Sequence, residues 1–246
     1  MSGSRRSALV RIVPAAIALL ILGAGTAHAE PPFRVGEKLA FSIQYGFIRA
    51  GIAELEVKPG EREGEWTLSS RAWTNPFFDV FFKVRDEVRS HVDAETIESL
   101  RFEKRLQEGK FRDTEIVKFD RGKSLAVYED GKEVFLTPEA RDILATFYHL
   151  RGQRLPIGGE VPLVYHSSKK NWPIRVKVHA VETIKVPAGT FRCVRIEPIL
   201  KSVGVFKQTG RLLIWITADE RRMPVKLESK VVFGAFEAVL TEYRAP

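Results

Sequence analysis

The sequence predicts an all-β fold: a single large antiparallel sheet, curled or closed into a barrel, with one short helix packed against it. Three observations carry this expectation. Apolar residues alternate with polar ones at a period of two through most of residues 38–243, as half-buried strands require. The alternating runs are separated by short turn motifs such as Asp130-Gly131 and Pro187-Ala-Gly189, which suit hairpins rather than long crossovers. Helical spacing is convincing in one place only, between Thr137 and Gly152.

In chain order, Leu39, Phe41, Ile43, Tyr45 and Phe47 form the apolar row of a first strand. A turn near Ile48 to Gly51 leads to a strand over Ile52 to Val57, and Trp66 to Trp73 reads as a third. Beyond Pro76, the row Phe78, Val80, Phe82, Val84, Val88 and Val92 is broken at Asp86 and Ser90. The next strand carries Leu100, Phe102 and Leu106, broken at Lys104. A loop over Asp93 to Ile97 would set Val88 opposite Phe102 and Asp86 directly opposite Lys104. A structural ion pair Asp86–Lys104 is therefore expected, since each half-buried charge needs a partner.

Three more strands follow, over Glu115 to Phe119, Ser124 to Glu129 and Lys132 to Leu136. Thr137 then suits an N-cap, Pro138 the first helical position, and Ile143, Leu144, Phe147 and Leu150 one apolar face, with Gly152 as the stop. Such a helix must lie across an open face of the sheet or plug one end of a barrel. Val161 to Ser167 and Ile174 to Val186 return to strand. Among the closing strands, Leu212 to Ile216 is apolar on both faces, as a strand covered on both sides should be, while Val225, Leu227, Val231 and Phe233 alternate with charges.

The first 29 residues have the form of a cleavable signal peptide. Arg5, Arg6 and Arg11 are basic, Ala15 to Ala24 is small and apolar, and Ala27-His28-Ala29 suits a peptidase. The expected mature chain is one all-β domain, residues 30–246, in the periplasm. It is expected to be soluble and not a lipoprotein, because no cysteine follows the apolar run. Removing three arginines and no acid takes the net charge from +8 to +5. That mild, interspersed charge argues against nucleic-acid binding, which wants a basic stripe. Cys193 is the lone cysteine, expected to be buried and inert.

No catalytic signature is present, and no cofactor is implied. His91, His149, His166 and His179 form no metal-ligating spacing. His166 beside Ser167 makes no nucleophile arrangement, since neighbours on a strand face opposite ways. The least generic stretch is Trp73 to Phe82, with five aromatics in ten residues. Phe78 and Phe82 belong to the apolar row; Trp73, Phe77 and Phe81 fall on the other face. Either the helix covers these three, or they line a groove or barrel mouth that binds an apolar ligand.

Gly36-Glu-Lys-Leu39, Tyr45-Gly46, Ala50-Gly51, Arg101-Phe-Glu-Lys104, Arg112-Asp-Thr-Glu115, Val186-Pro-Ala-Gly-Thr-Phe191, Trp215-Ile-Thr217 and Pro224-Val225 together resemble the bacterial exported family known as domain of unknown function 3108. The resemblance spans nearly the whole mature chain. It implies a periplasmic, β-rich protein of unassigned activity and offers no catalytic residue to transfer. In architecture alone the chain is also similar to the open-barrel lipoprotein carriers of the Gram-negative periplasm. The expected function is a non-catalytic carrier or binding protein for an apolar envelope component, a lipid or an acylated protein. The alternatives are an envelope hydrolase with a site assembled from separate strands, and a structural or protein-interaction module.

Overall fold

The computed structural model describes residues 30–199, 211–230 and 235–246. The expected signal peptide, and Val231 and Phe233 of the closing alternation, lie outside the described residues. Among the described residues, fourteen strands build one antiparallel sheet. They are β1 (Lys38–Tyr45), β2 (Ile48–Pro59), β3 (Glu65–Thr74), β4 (Arg85–Asp93), β5 (Ser99–Glu108), β6 (Phe111–Asp120), β7 (Leu125–Tyr128) and β8 (Glu133–Phe135), then β9 (Glu160–Ser167), β10 (Lys170–Val186), β11 (Gly189–Ile199), β12 (Leu212–Thr217), β13 (Pro224–Lys230) and β14 (Ala235–Arg244). Among the described residues, two helices accompany them, α1 (Pro76–Asp79) and α2 (Ile143–Arg151).

The order across the sheet is β8-β7-β6-β5-β4-β3-β2-β1-β14-β13-β12-β11-β10-β9. It consists of two meanders joined where the first strand pairs with the last, Phe41 against Leu240. The edges are therefore β8 and β9, which are consecutive in sequence and linked through α2. That helix packs on both halves. Leu144, Ala145 and Tyr148 meet Val57, Leu68 and Val92 of β2–β4, while Leu150 meets Val176, Val194 and Ile214 of β10–β12. One helix touching strands so far apart in the order requires the sheet to curl around it.

The start of α2 differs from the sequence expectation. Its N-cap is Asp142 rather than Thr137, and residues 137–142 stay outside the helix. Asp142 is fully buried and accepts hydrogen bonds from Leu144 N and Ala145 N at 2.9 Å. Ser90 Oγ and Ser99 Oγ donate to its other oxygen at 2.5 and 2.6 Å. Four donors on one carboxylate outweigh what a threonine at position 137 offers. They also explain Ser90, the polar break in the β4 row. At the helix C-terminus Arg151, fully buried, forms a bidentate pair with buried Glu37 at 2.7 and 2.9 Å. Its Nε and Nη2 also donate to the carbonyls of Arg222 and Arg221, and its guanidinium stacks on Phe33 and Tyr148. Each nitrogen of this desolvated cation therefore has a hydrogen-bond partner.

No strand ladder joins β8 to β9, yet side chains lace the seam. Tyr128 OH lies 2.7 Å from His166 Nε2 and accepts from Lys169 N at 2.7 Å. His166 Nδ1 lies 2.7 Å from Asn171 Oδ1, and Asn171 Nδ2 donates to the Phe135 carbonyl at 2.8 Å. These partners assign the tautomer: Nδ1 carries the proton, and Nε2 accepts from the tyrosine. Beyond the seam, the β10–β11 hairpin tip brings Val186 and Cys193 onto Leu213, Trp215, Met223 and Leu240. Leu213 and Trp215 thus join one cluster while Ile214 and Ile216 join another, so β12 is covered on both faces as expected.

Two sequence expectations are corrected here. The ladder sets Lys104 opposite Val88 and Phe102 opposite Ser90, two residues from the expected register. A bulge at His91/Val92 and a longer turn, with Ile97 at φ 55° and Asp93 N bonded to Glu98 O, account for the difference. Asp86 therefore does not pair with Lys104. Lys104 Nζ meets Asp113 at 2.8 Å and Glu115 at 4.0 Å on β6, and Asp86 accepts from Gln107 N at 2.9 Å. In addition, residues 78–83 are not strand: β4 begins at Arg85, after the short helix α1.

Candidate functional site

The two ends of the curled sheet differ in chemistry. The turns at the helix end are polar: Gly60-Glu-Arg-Glu-Gly64, Ala94-Glu-Thr96, Arg121-Gly-Lys123 and Asp219-Glu-Arg-Arg222. The opposite end carries the turn Gly46-Phe47, the loop Asn75 to Val84 and the turn Gly109-Lys110. Fourteen large hydrophobic side chains are exposed among the described residues. Nine of them (Tyr45, Phe47, Ile48, Phe77, Val80, Phe81, Phe82, Phe111 and Phe236) sit at this second end. α2 does not reach it, so the aromatics are not covered by the helix.

The sequence builds the loop between β3 and β4 from local devices. Asn75 caps α1 by accepting from Phe78 N at 3.0 Å, and it donates to the Arg49 carbonyl at 2.6 Å. Pro76 takes the first helical position. Thr74 donates to Asp79 at 2.5 Å, and Arg85 grips the same carboxylate at 2.5 and 3.0 Å. These donors, Arg85 foremost, hold the Asp79 carboxyl below its ordinary value. Gly109 N binds the Lys83 carbonyl at 2.8 Å, and the Phe82 ring lies where a Gly109 Cβ would be, at 2.9 Å. With φ at 54° as well, position 109 accepts only glycine without strain.

So fixed, the loop closes one side of a cleft of about 420 Å³. Ile43, Gly51 and Thr74 line it from the strands, Phe78, Phe81, Phe82 and Val84 from the loop, and Tyr45 and Phe236 from the opposite wall. Tyr45 and Phe236 stack at 5.0 Å, and Phe77 packs edge-on against Phe78 and Phe81. The volume falls within the usual range of small-ligand pockets. Of the three aromatics singled out in the sequence, Trp73 and Phe81 line the cleft. Phe77 stands behind Phe81 and is 65% exposed. Phe78 and Phe82, expected in the core, line the cleft as well, because α1 rotates them out of the strand phase.

Beside this end, charged groups face one another across β4, β5 and β6. Burial first, then the neighbouring Asp86 charge, raises the Glu108 pKa; burial likewise raises Glu115. His166 is buried and meets Tyr128 and Asn171, not a serine and an acid. Burial lowers its pKa, opposed by Asn171 and reinforced by Arg121, and burial pushes Tyr128 up to about 12. Cys193 is buried, its thiol also pushed up to about 12. Among the described residues, no three His, Cys, Asp or Glu side chains converge as a metal site, and no helix is long and apolar enough to cross a membrane.

A large antiparallel sheet curled around a helical plug, and open along one seam, defines a β-barrel-like protein. A beta-barrel-like protein of domain of unknown function DUF1849 from Brucella abortus has this fold. It superposes with a TM-score of 0.56 over 87% of this chain and 99% of its own, at 10% identity. The chain itself belongs to the family described as protein of unknown function DUF3108, which matches residues 40–241. A candidate exported protein with a YmcC-like fold from Bacteroides fragilis (TM-score 0.37, 12% identity, 87% and 97% covered) resembles it more loosely. So does a candidate lipoprotein from Parabacteroides distasonis (0.38, 11%, 87% and 98%). Neither bears on the fold at that level. No curated protein matches the sequence.

Proposed function

We propose that this protein is a non-catalytic carrier of an apolar envelope component, holding an acyl chain of a lipid or acylated protein in the cleft at the open end. One observation carries the reading: the cleft exposes only apolar surface, much of it on aromatic side chains that a solvent-facing loop gains nothing by exposing. Trp73, Phe81 and, behind it, Phe77 are the ligand-binding residues of this proposal. The signal-like N-terminus, with no cysteine after its apolar run, supports a soluble periplasmic protein rather than a lipoprotein. Native mass spectrometry of protein isolated from its own host tests the reading. A reproducible adduct, removed by organic extraction and weakened at least tenfold in Phe81→Asp, is expected; a clean apo mass in every preparation contradicts tight carriage.

A second reading, an envelope hydrolase, is favoured by the apposition of Asp86 and Glu108 with a raised Glu108 pKa. Paired carboxylates of this kind can divide acid and base roles. Hydrolysis of envelope lipids or glycans by the wild type, abolished in Glu108→Gln, would establish it. Equal turnover in both would exclude that site.

A further inference from the structure

The rim of the open end combines two features that the cleft does not need. The first is projection. Phe47, fully exposed, and Phe111, 46% exposed, stand on the turns flanking the β3–β4 loop, where Phe77 and Val80 are 65% and 81% exposed. In sheet order the β1–β2, β3–β4 and β5–β6 connections follow one another along one edge, about 10 Å apart at ~5 Å per strand. Neither Phe47 nor Phe111 lines the cleft.

The second is charge. Arg49, Lys83, Arg105, Lys110 and Arg112 lie on or just behind these turns, and none forms an ion pair among the described residues. Behind the turns, a groove of about 490 Å³ is lined by Arg71, Trp73, Arg85, Arg105 and Arg112, against Asp86 and Glu87. Arg71 and Arg85 are matched by Glu54 and Asp79, and Glu87 is taken up by Arg89. Arg112 meets only the carbonyls of Gly109 and Phe111. Apolar tips with a belt in which cations outnumber acids one step back match the layers of an anionic bilayer: acyl boundary, then headgroup phosphates.

We infer that the open end docks on the surface of an anionic phospholipid bilayer, with Phe47, Phe77, Val80 and Phe111 inserted and the unpaired Arg and Lys residues against the headgroups. Docking does not depend on the carrier reading, since Phe47, Val80 and Phe111 lie outside the cleft and only Phe77 is shared with that reading. It would nonetheless set the cleft mouth at the membrane, where an acyl chain could enter without crossing water.

The test is co-sedimentation of the full mature protein with vesicles of phosphatidylethanolamine and phosphatidylglycerol, against phosphatidylcholine alone. Binding to the anionic vesicles at 50 mM salt is expected, falling several-fold at 500 mM as the charges are screened. Phe47→Ser with Phe111→Ser should weaken it at least about tenfold, in line with two aromatic rings losing apolar burial. Arg105→Gln with Arg112→Gln should weaken it still more on anionic vesicles, by roughly fivefold per cation removed. All four positions are exposed, so melting temperatures should match wild type. Both double variants should keep any co-purified adduct, which separates loss of docking from loss of carriage. No sedimentation with anionic vesicles at low salt, or sedimentation unchanged in both variants, overturns the inference.

Discussion

The helix end and the open end of the sheet belong to one set of strands but solve opposite problems. At the helix end, two fully buried charges are held by close partners: Arg151 by Glu37, and Asp142 by two serines and two backbone amides. The surface there is polar. At the open end apolar surface is left in water, while the nearby charges face solvent or one another. Burying an ion pair is rarely a net gain over an apolar core, but it makes the closed end intolerant of change. An exposed phenylalanine costs the fold little, so the open end is free to vary for binding. The buried ion pair lies at one end and the proposed recognition surface at the other.

The largest way to break this contrast is at the plug. Arg151→Leu leaves Glu37 charged and unpartnered in the core and should cost about 3–5 kcal/mol, read from denaturant unfolding. Adding Glu37→Leu should recover much of that loss. A single-variant cost under 1 kcal/mol would mean that the plug does not hold the sheet.

The seam should give an intermediate effect that depends on pH. The His166 pKa is lowered below its ordinary 6.5, so the unfolded chain binds a proton that the folded chain refuses. Its contribution is fully present above pH 6.5 and is lost as the pH falls through the folded pKa. Melting temperature should therefore drop between pH 7.5 and 5 more steeply in wild type than in His166→Gln, by about 2–4 °C for each 1 kcal/mol of His166 contribution. Parallel curves would remove His166 from the seam.

The smallest effect belongs to the open end. Phe81, 73% exposed, should tolerate Asp with a change within about 0.5 kcal/mol, although the same substitution should empty the cleft. A large loss of stability would make Phe81 a core residue and erase the contrast between the ends.

Much of the strand framework was legible in the sequence because burial on one face imposes a period of two, and Asp-Gly or Pro-Ala-Gly marks the turns. The pairing of β1 with β14 was not, since nothing local in Leu39–Tyr45 or Phe236–Tyr243 identifies a partner 200 residues away. The Asp86–Lys104 expectation failed by two residues for a similar reason: a bulge at His91/Val92 leaves no mark in an alternating pattern. Ser90 looked like a flaw in an apolar row, and only the position of Asp142 gives it a role. At the candidate site, the aromatic density of Trp73–Phe82 marked residues that line the cleft. The phase was misread because Asn75, Pro76 and Asp79 begin a helical turn within an otherwise alternating run.

The most direct test of an acyl-binding mouth is fluorescence quenching by a brominated fatty acyl chain, because Trp73 lines the cleft, whereas Trp215 is buried in the cluster at the hairpin tip. Saturable quenching that disappears in Trp73→Phe and persists in Trp215→Phe is the expected result. Quenching that survives Trp73→Phe unchanged, or no quenching at any concentration below micelle formation, would contradict an acyl chain in the cleft.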